Sequence, residues 1–239
     1  MRLIEAPSPN FDARTRPPDM VVLHYTGMPT GDEALARLRD PAAKVSAHYL
    51  IEEDGRVFAL VPEERRAWHA GVSFWKGQRN VNGVSIGIEL VNPGHDWGYR
   101  AFPDAQIATL IDLLTGIRER WDVADTHIVG HSDIAPDRKL DPGELFPWKH
   151  LAEVGFGLWS EAPAAPGAPM RLGEEGPAVF ALQAGLTRLG YDCAPSGHYD
   201  EATALTITAF QRHWRPDRVD GAADGETRAR LMALLRLAT

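Results

Sequence analysis

A proline- and alanine-rich stretch at residues 160–169 divides this chain of 239 residues into two unequal parts. The stretch reads SEAPAAPGAP and shows no apolar periodicity. Because proline lacks a backbone N–H and favours extended spacers, these residues fit neither a helix nor a central strand. We therefore predict a first domain at residues 1–159, a linker at 160–169 and a second domain at 170–239.

The composition is that of an ordinary globular protein and disfavours several classes. Hydrophobic residues make up 44% of the chain and charged residues 24%, which is enough apolar material for a packed core. The 33 acidic residues outnumber the 25 basic ones, giving a net charge of −8, so a nucleic-acid partner is not expected. The single cysteine, Cys193, excludes an internal disulfide. No apolar stretch is long enough to predict a membrane span.

The first domain combines strand patterns with helix patterns. Residues 85–90 alternate so that Ile86, Ile88 and Leu90 share one face of a strand and Glu89 lies on the other. Thr30 precedes Glu33 at the spacing of a capping box, which predicts a helix start. Further strands are predicted at residues 21–25, 46–51, 57–61 and 127–129, and an amphipathic helix over Ile107, Leu110, Ile111, Leu114 and Ile117. These patterns predict an α/β fold, a mixed central sheet flanked by helices.

The second domain contains an internal repeat. Residues 197–203 (GHYDEAT) and 221–227 (GAADGET) share the pattern G-x-x-D-x-x-T. In each copy the aspartate, Asp200 or Asp224, is suited to cap the helix that follows. We predict a small three-helix domain, large enough to fold alone, with a core of Val179, Leu182, Leu186, Leu189, Ile207, Phe210, Leu231 and Leu234.

Three residues of the first domain form a candidate metal site. His24 ends a predicted strand, His131 follows another, and Asp141 lies ten positions further on. Two imidazoles and a carboxylate are typical of a catalytic zinc ion that keeps one position open for water. Glu89 would then act as general base, and Lys139 would stabilise a developing oxyanion.

Each of these residues also has a structural interpretation. A histidine at a strand end is often structural, and an aspartate before Pro-Gly, as in Asp141-Pro142-Gly143, often serves a turn. Glu89 could face solvent, and Lys139 could be a surface charge. The residues alone therefore predict a metal hydrolase without specifying its substrate.

Six ordered segments carry a resemblance to a known family. They are HYT (24–26), VSAHYLI (45–51), AWHAG (67–71), SIGIEL (85–90), GHSDIAP (130–136) and RKLDPG (138–143). Across residues 18–150 the chain resembles the zinc-dependent N-acetylmuramoyl-L-alanine amidases, which are related to amidase-type phage lysozymes and to peptidoglycan-recognition proteins. The resemblance implies one zinc ion on His24, His131 and Asp141, with Glu89 and Lys139 in the catalytic roles given above. It also implies cleavage of the amide between the lactyl group of N-acetylmuramic acid and L-alanine, in peptidoglycan or muropeptides.

Other residues of these segments are given different roles. Trp68 and His69 are predicted to contact substrate in a groove, with a structural role for His69 as an equal alternative. His48 is interpreted as structural, Trp75 as a core aromatic residue, and Asp133 as a carboxylate that orders the loop next to the metal.

The second domain resembles the three-helix peptidoglycan-binding modules of cell-wall hydrolases, through Leu182-Gln183, the doubled repeat and Ala209-Phe210-Gln211. Two alternatives to a muramoyl amidase remain: a non-catalytic peptidoglycan-recognition protein on the same scaffold, and a metal amidase or peptidase with another substrate. The first residues, MRLIEAP, show no continuous apolar segment, which predicts a cytoplasmic protein. A wall-binding domain favours the periplasm or cell envelope instead. The oligomeric state is not predicted.

Overall fold

The computed structural model describes residues 2–238, which form a mixed six-stranded sheet, a two-stranded sheet and eight α-helices. The large sheet has the order β1-β5-β4-β7-β3-β8, and only β4 and β5 pair antiparallel. Strands β2 and β6 form the small antiparallel sheet. The strands are β1 (Leu3–Glu5), β2 (Phe11–Ala13), β3 (Met20–Tyr25), β4 (Tyr49–Ile51), β5 (Val57–Ala59), β6 (Arg65–Ala67), β7 (Ser85–Leu90) and β8 (Ile128–Gly130). The predicted mixed sheet is confirmed.

The helices cover the sheet and form the C-terminal part of the chain. They are α1 (Gly31–Arg39), α2 (Gly94–Trp97), α3 (Asp104–Arg120), α4 (His131–Ile134), α5 (Trp148–Glu153), α6 (Pro177–Leu189), α7 (Glu201–Trp214) and α8 (Gly225–Leu237). Thr30 caps α1, and its side chain accepts the backbone N–H of Glu33, as the capping pattern predicts. Within residues 2–238 no helix combines the length and apolar character needed to cross a bilayer.

Strands β3 and β7 lie side by side at the centre of the sheet and bring two predicted site residues together. Their parallel register pairs His24 with Glu89. From Met20 to His24 every residue of β3 is buried, as expected for a strand with neighbours on both edges and both faces covered. The site is therefore built at the carboxyl ends of two central strands, where the backbone is least free to move.

Helix α3 covers one face of the sheet with the predicted apolar residues, except that one of them is replaced by a neighbouring leucine. Leu110, Leu114 and Ile117 are buried, but Ile111 is only partly buried and Leu113 takes its place. Leu113 lies three residues after Leu110 and so falls on the same helix face.

Several predicted element limits differ from those in the structure. The strand expected at residues 46–51 begins only at Tyr49, because the backbone N–H of His48 bonds to Gly87 and that of Ser46 bonds to Trp68 in irregular geometry. The strand at 57–61 ends at Ala59. His127 belongs to a 3-10 turn, and the expected polar loop after Gly130 is the short helix α4.

The C-terminal helices α6, α7 and α8 have the predicted core, and the repeat has a clear structural meaning. The Asp200 and Asp224 side chains cap α7 and α8 by accepting the backbone N–H of the threonine three residues later. All eight predicted core residues are buried.

This core does not end at the boundary predicted from the sequence. The buried cluster of the C-terminal helices continues through Trp75 and Tyr191 into Met20, Val22 and Val129 of the first part. Residues 160–169 contain no helix or strand, and their carbonyl oxygens at Pro166 and Ala168 accept hydrogen bonds from Arg228. The division at 1–159, 160–169 and 170–239 stays a prediction from composition, since the two parts share buried side chains.

Candidate metal centre and active-site cleft

Three predicted ligands converge at one point at the end of the sheet. His24 lies on β3, His131 is the first residue of α4, and Asp141 follows in the next turn. His24 Nδ1 lies 2.9 Å from both His131 Nδ1 and Asp141 Oδ2, and His131 Nδ1 lies 3.0 Å from Asp141 Oδ2. All three side chains are buried. Residues far apart in the chain thus present three donor atoms to a single site.

The second ring nitrogen of each histidine ligand has its own partner. His131 Nε2 lies 3.1 Å from the Ala70 carbonyl oxygen, which can only accept, so Nε2 carries the proton. His24 Nε2 lies 3.0 Å from His69 Nδ1, and His69 Nε2 lies 3.2 Å from Ser85 Oγ. The Ser85 hydroxyl donates to the Val81 carbonyl oxygen at 2.6 Å. This chain of bonds lets His24 donate through Nε2 and leaves Nδ1 as a lone pair.

The pKa values of His24, His69 and Asp141 favour a neutral His24, a neutral His69 and an ionised Asp141. Burial, reinforced by the neighbouring His131, lowers the pKa of His24 to about 4. Burial also lowers the pKa of His69 well below its ordinary value. Burial alone would raise the pKa of Asp141, but the two facing imidazoles hold it well below its usual range. Neutral imidazole and carboxylate are the forms that bind a metal.

A divalent metal ion fits this donor set. With the outer nitrogens protonated, two imidazole lone pairs and a carboxylate oxygen face one another with no proton between them. Such a cluster is repulsive unless a cation occupies its centre. Its two nitrogens and one oxygen, with an open side toward the cleft, match the chemistry of a catalytic zinc site.

Glu89 and Lys139 line the cleft beside these ligands. The cleft has a volume of about 410 Å³, within the range of small-ligand sites. Glu89 Oε2 is buried and has no hydrogen-bond partner among the described residues. Burial, with Asp141 nearby, raises the pKa of Glu89 well above its ordinary value, and Lys139 opposes that rise. A cleft-lining carboxyl group with a raised pKa and an oxygen without a hydrogen-bond partner is suited to accept and return a proton.

The structure separates the roles of the other predicted residues. Trp68 lines the cleft, and its indole N–H donates to Asp12 at 3.3 Å. His69 also lines the cleft but is buried, and its ring stands between His24 and Ser85. His48 is fully buried and bonded to backbone groups, in agreement with a structural role. Trp75 is in the core, and its indole N–H donates to the Thr126 carbonyl oxygen.

Sequence reasoning missed the partners of these residues. Ser85 was seen only as part of a strand, and no local pattern connects it with His69. Asp133 was expected to order its own loop, and it does accept the Gly130 N–H at 2.8 Å. Its other partners, Tyr191 and His213, lie 58 and 80 residues away. No signal within the motif around His131 could have found them.

Comparisons with known proteins agree with this site. The sequence profile of the N-acetylmuramoyl-L-alanine amidase family matches residues 14–144, and that of a peptidoglycan binding domain matches residues 175–231. The amidase AmiD of Escherichia coli K12 is 39% identical over 236 residues, which cover 90% of this chain and 82% of AmiD. The 1,6-anhydro-N-acetylmuramyl-L-alanine amidase AmpD of the same organism is 38% identical over 161 residues, covering 59% of this chain and 86% of AmpD.

Two solved structures have the same fold over nearly the whole chain. E. coli AmiD, in complex with anhydro-N-acetylmuramic acid-L-Ala-D-γ-Glu-L-Lys, has a TM-score of 0.80 at 38% identity and covers 93% of this chain and 90% of its own. AmpDh3 from Pseudomonas aeruginosa, in complex with anhydromuramic pentapeptide, has a TM-score of 0.77 at 34% identity and covers 93% of each chain. This chain belongs to the family of N-acetylmuramoyl-L-alanine amidases.

Proposed function

We propose that this amidase depends on zinc, held by His24, His131 and Asp141, and that it hydrolyses the amide between the lactyl group of N-acetylmuramic acid and L-alanine of the stem peptide. The observation that carries the proposal is the convergence of three metal-ligand atoms within 3.0 Å of one another in the cleft lined by Glu89. A protein that only recognises peptidoglycan would have no use for a buried, unpartnered carboxylate beside such a site.

The chain's own residues supply proton transfer and charge stabilisation. Bound zinc would polarise the amide carbonyl and make water more acidic. Glu89, with its free Oε2, accepts the proton of the attacking water and returns it to the departing alanine nitrogen. Lys139 provides a fixed positive charge in the same cleft for the oxyanion that develops on the carbonyl.

We extend the substrate to muropeptides with a 1,6-anhydro end. The AmiD and AmpDh3 structures contain an anhydro-muramyl tripeptide and an anhydromuramic pentapeptide, and AmpD is named for the same sugar. The cleft of this chain is lined by Glu89, Asp96 and Asp141 and also by Arg37, Arg138 and Lys139, and the three basic residues suit the carboxylates of an acidic stem peptide. For the C-terminal helices we propose peptidoglycan binding, in line with the profile match at residues 175–231.

The test is product analysis on purified anhydro-N-acetylmuramyl-tripeptide, with the Glu89→Gln variant as the decisive comparison. The wild-type protein should release free tripeptide and anhydro-N-acetylmuramic acid, identified by mass spectrometry. A strong chelator should abolish the reaction, and added zinc should restore it.

Glu89→Gln should retain stoichiometric zinc, because Glu89 is not a ligand. It should lose about 10²- to 10⁴-fold in kcat, the usual contribution of a general base. Activity that survives chelation would contradict the metal mechanism. Wild-type turnover in Glu89→Gln would remove Glu89 from the reaction.

A further inference from the structure

Asp133, two residues after the ligand His131, is held from outside its own domain. Its Oδ1 accepts the Tyr191 hydroxyl at 2.6 Å, and its Oδ2 lies 2.7 Å from His213 Nδ1. The Asp133 side chain is 0% exposed and that of His213 is 2% exposed. Asp133 also accepts the Gly130 N–H, at the start of α4. One buried carboxylate therefore joins the helix that carries His131 to the C-terminal helical unit, residues 170–238.

His213 cannot shift without moving its neighbours. Its ring stacks on Trp148 with centroids 3.6 Å apart and on Trp214 with centroids 3.7 Å apart. Trp214 in turn donates its indole N–H to the Leu158 carbonyl oxygen. Stacking on both faces restrains the plane of the imidazole, and the hydrogen bond to Asp133 selects the ring edge that carries Nδ1.

Arg212, the residue before His213, lies near the segment that follows Asp141. Arg212 Nε lies 3.7 Å from Glu144, three residues after Asp141. Glu144 lies 3.2 Å from His95 Nε2, and His95 Nδ1 lies 2.9 Å from the hydroxyl of Tyr25. Tyr25 directly follows His24 in β3. The last turn of α7 thus lies beside Glu144, and its direct hydrogen bond next to a ligand-bearing element is the one from His213 to Asp133.

We propose that the C-terminal helical unit is part of the scaffold of the metal site, with Tyr191 and His213 as positioning residues for His131. The inference rests on the proposed metal site and deepens it. A peptidoglycan-binding unit needs only its own outer surface for its ligand. The buried contacts of Tyr191 and His213 with Asp133 instead fix the position of α4, and so the direction in which His131 presents Nδ1.

Two buried tyrosines provide a matched test in the full chain. Tyr191→Phe removes the hydrogen bond to Asp133, whereas Tyr199→Phe removes one of 2.8 Å to Gly221 inside the helical unit. Both side chains are fully buried, so each variant should lose stability, and Tyr191→Phe should lose more because its partner is a carboxylate. Only Tyr191→Phe should weaken zinc binding, by about tenfold, the lower end of the effect of losing an outer hydrogen-bond partner.

Two readouts separate positioning from folding. Zinc affinity is measured by competition with a chelating dye on protein shown to be folded by near-ultraviolet circular dichroism. The visible absorption bands of the cobalt-substituted protein report the ligand geometry, and they should change in Tyr191→Phe but not in Tyr199→Phe.

Variants of His213 test the second bond to Asp133. His213→Asn keeps an N–H near the position of Nδ1, while His213→Leu removes it. The proposal expects affinity and cobalt spectrum to be closest to wild type in His213→Asn and to depart furthest in His213→Leu. If His213→Leu fails to fold, Tyr191→Phe still decides the matter.

Unchanged affinity and spectrum in Tyr191→Phe, and in His213→Leu if it folds, with reduced stability only, would overturn the proposal. These metal measurements require no substrate. A wild-type chain that binds zinc but does not cleave muropeptides would count against the proposed function and leave the scaffold inference standing.

Discussion

Four histidines pack beneath the cleft with successive ring centroids 4.5–5.8 Å apart, and their hydrogen-bond partners give them different tasks. His48 Nδ1 accepts the Gly87 N–H, so its Nε2 donates to the Arg65 carbonyl oxygen and no lone pair is left for a metal. His24 and His131 have their outer nitrogens occupied and their Nδ1 atoms facing each other. These residues are all buried histidines, and only their hydrogen-bond partners determine which of them can offer a lone pair to a metal.

The sequence could bring His24, His131 and Asp141 together as a candidate ligand set, because the two histidines lie at strand ends and Asp141 follows in the next turn. It could not assign His69, since the decision depends on Ser85, which lies 16 residues later at the start of β7. In the structure His69 passes a hydrogen bond from His24 to Ser85, which favours a supporting role over direct substrate contact.

Replacement of His69 by leucine should therefore weaken zinc binding. His69→Leu removes the acceptor for His24 Nε2, so nothing holds the His24 ring in its orientation. Zinc affinity should fall by about 10- to 100-fold. His48→Leu is the control, because it also removes a buried, hydrogen-bonded imidazole without touching His24. Chelator competition on the folded proteins measures the effect. Equal affinities in the two variants would assign His69 to packing alone.

At the scale of elements, the repeat in the C-terminal helices builds the same N-terminal cap on α7 and on α8. Gln183 accepts the Gly197 N–H and donates to Thr203 Oγ1, while Gln211 accepts the Gly221 N–H and reaches Thr227 Oγ1. Each glutamine thus fixes the loop whose aspartate caps the next helix. Local patterns of this kind are visible in sequence, and for that reason the caps of α7 and α8 and the core of the unit were predicted correctly.

Element limits were harder to predict where the backbone bonds to distant partners. The strand after residue 46 starts late because Ser46 Oγ donates to the Asn10 carbonyl oxygen and accepts the Trp68 N–H. A run of strand-forming residues cannot reveal such competition, because neither partner is close in sequence.

The two capping aspartates should differ in their effect on stability. Asp200→Ala removes a cap that is bonded to Thr203 only, and should cost about 1 kcal/mol. Asp224 caps α8 and also accepts from Arg215 at 2.7 Å, and the Arg215 side chain is 8% exposed. Asp224→Ala should cost at least about 2 kcal/mol, since a hydrogen bond to a charged group is lost as well. Denaturant unfolding of both variants measures the difference, and equal losses would show that the Arg215 contact adds nothing.

At the scale of the molecule, two parts that look separate in sequence share one buried core. The proline-rich segment and the repeat are local signals, and they favour two domains. The contacts that join the parts, such as Tyr191 with Asp133 and Trp75 with Tyr191, are not encoded in any local pattern. Their residues were individually predictable as buried or polar, but their pairing depends on the packing of helices against a sheet edge formed far earlier in the chain.

Gly190 lies where this shared core is tightest. Its φ is +150°, and a Cβ there would lie 2.6 Å from the Trp75 ring, which is buried and cannot yield. Gly173 also has a positive φ, of +88°, but a Cβ there would meet nothing within 4 Å. Alanine at either position would strain the backbone, but only alanine at Gly190 would also disturb the packing between the two parts. Comparing the two variants therefore separates these effects.

Because the core is shared, thermal unfolding should be one cooperative transition. Gly173→Ala should lower stability by about 1–2 kcal/mol through backbone strain. Gly190→Ala should lose about 1–3 kcal/mol more through overpacking against Trp75, and the whole calorimetric peak should move down as one. If the wild-type protein unfolds in two peaks, or if Gly190→Ala lowers only one of them, the two parts are energetically independent. In that case the C-terminal part could unfold while the first part stays folded, and the contacts of Tyr191 and His213 with Asp133 could not hold His131 in place.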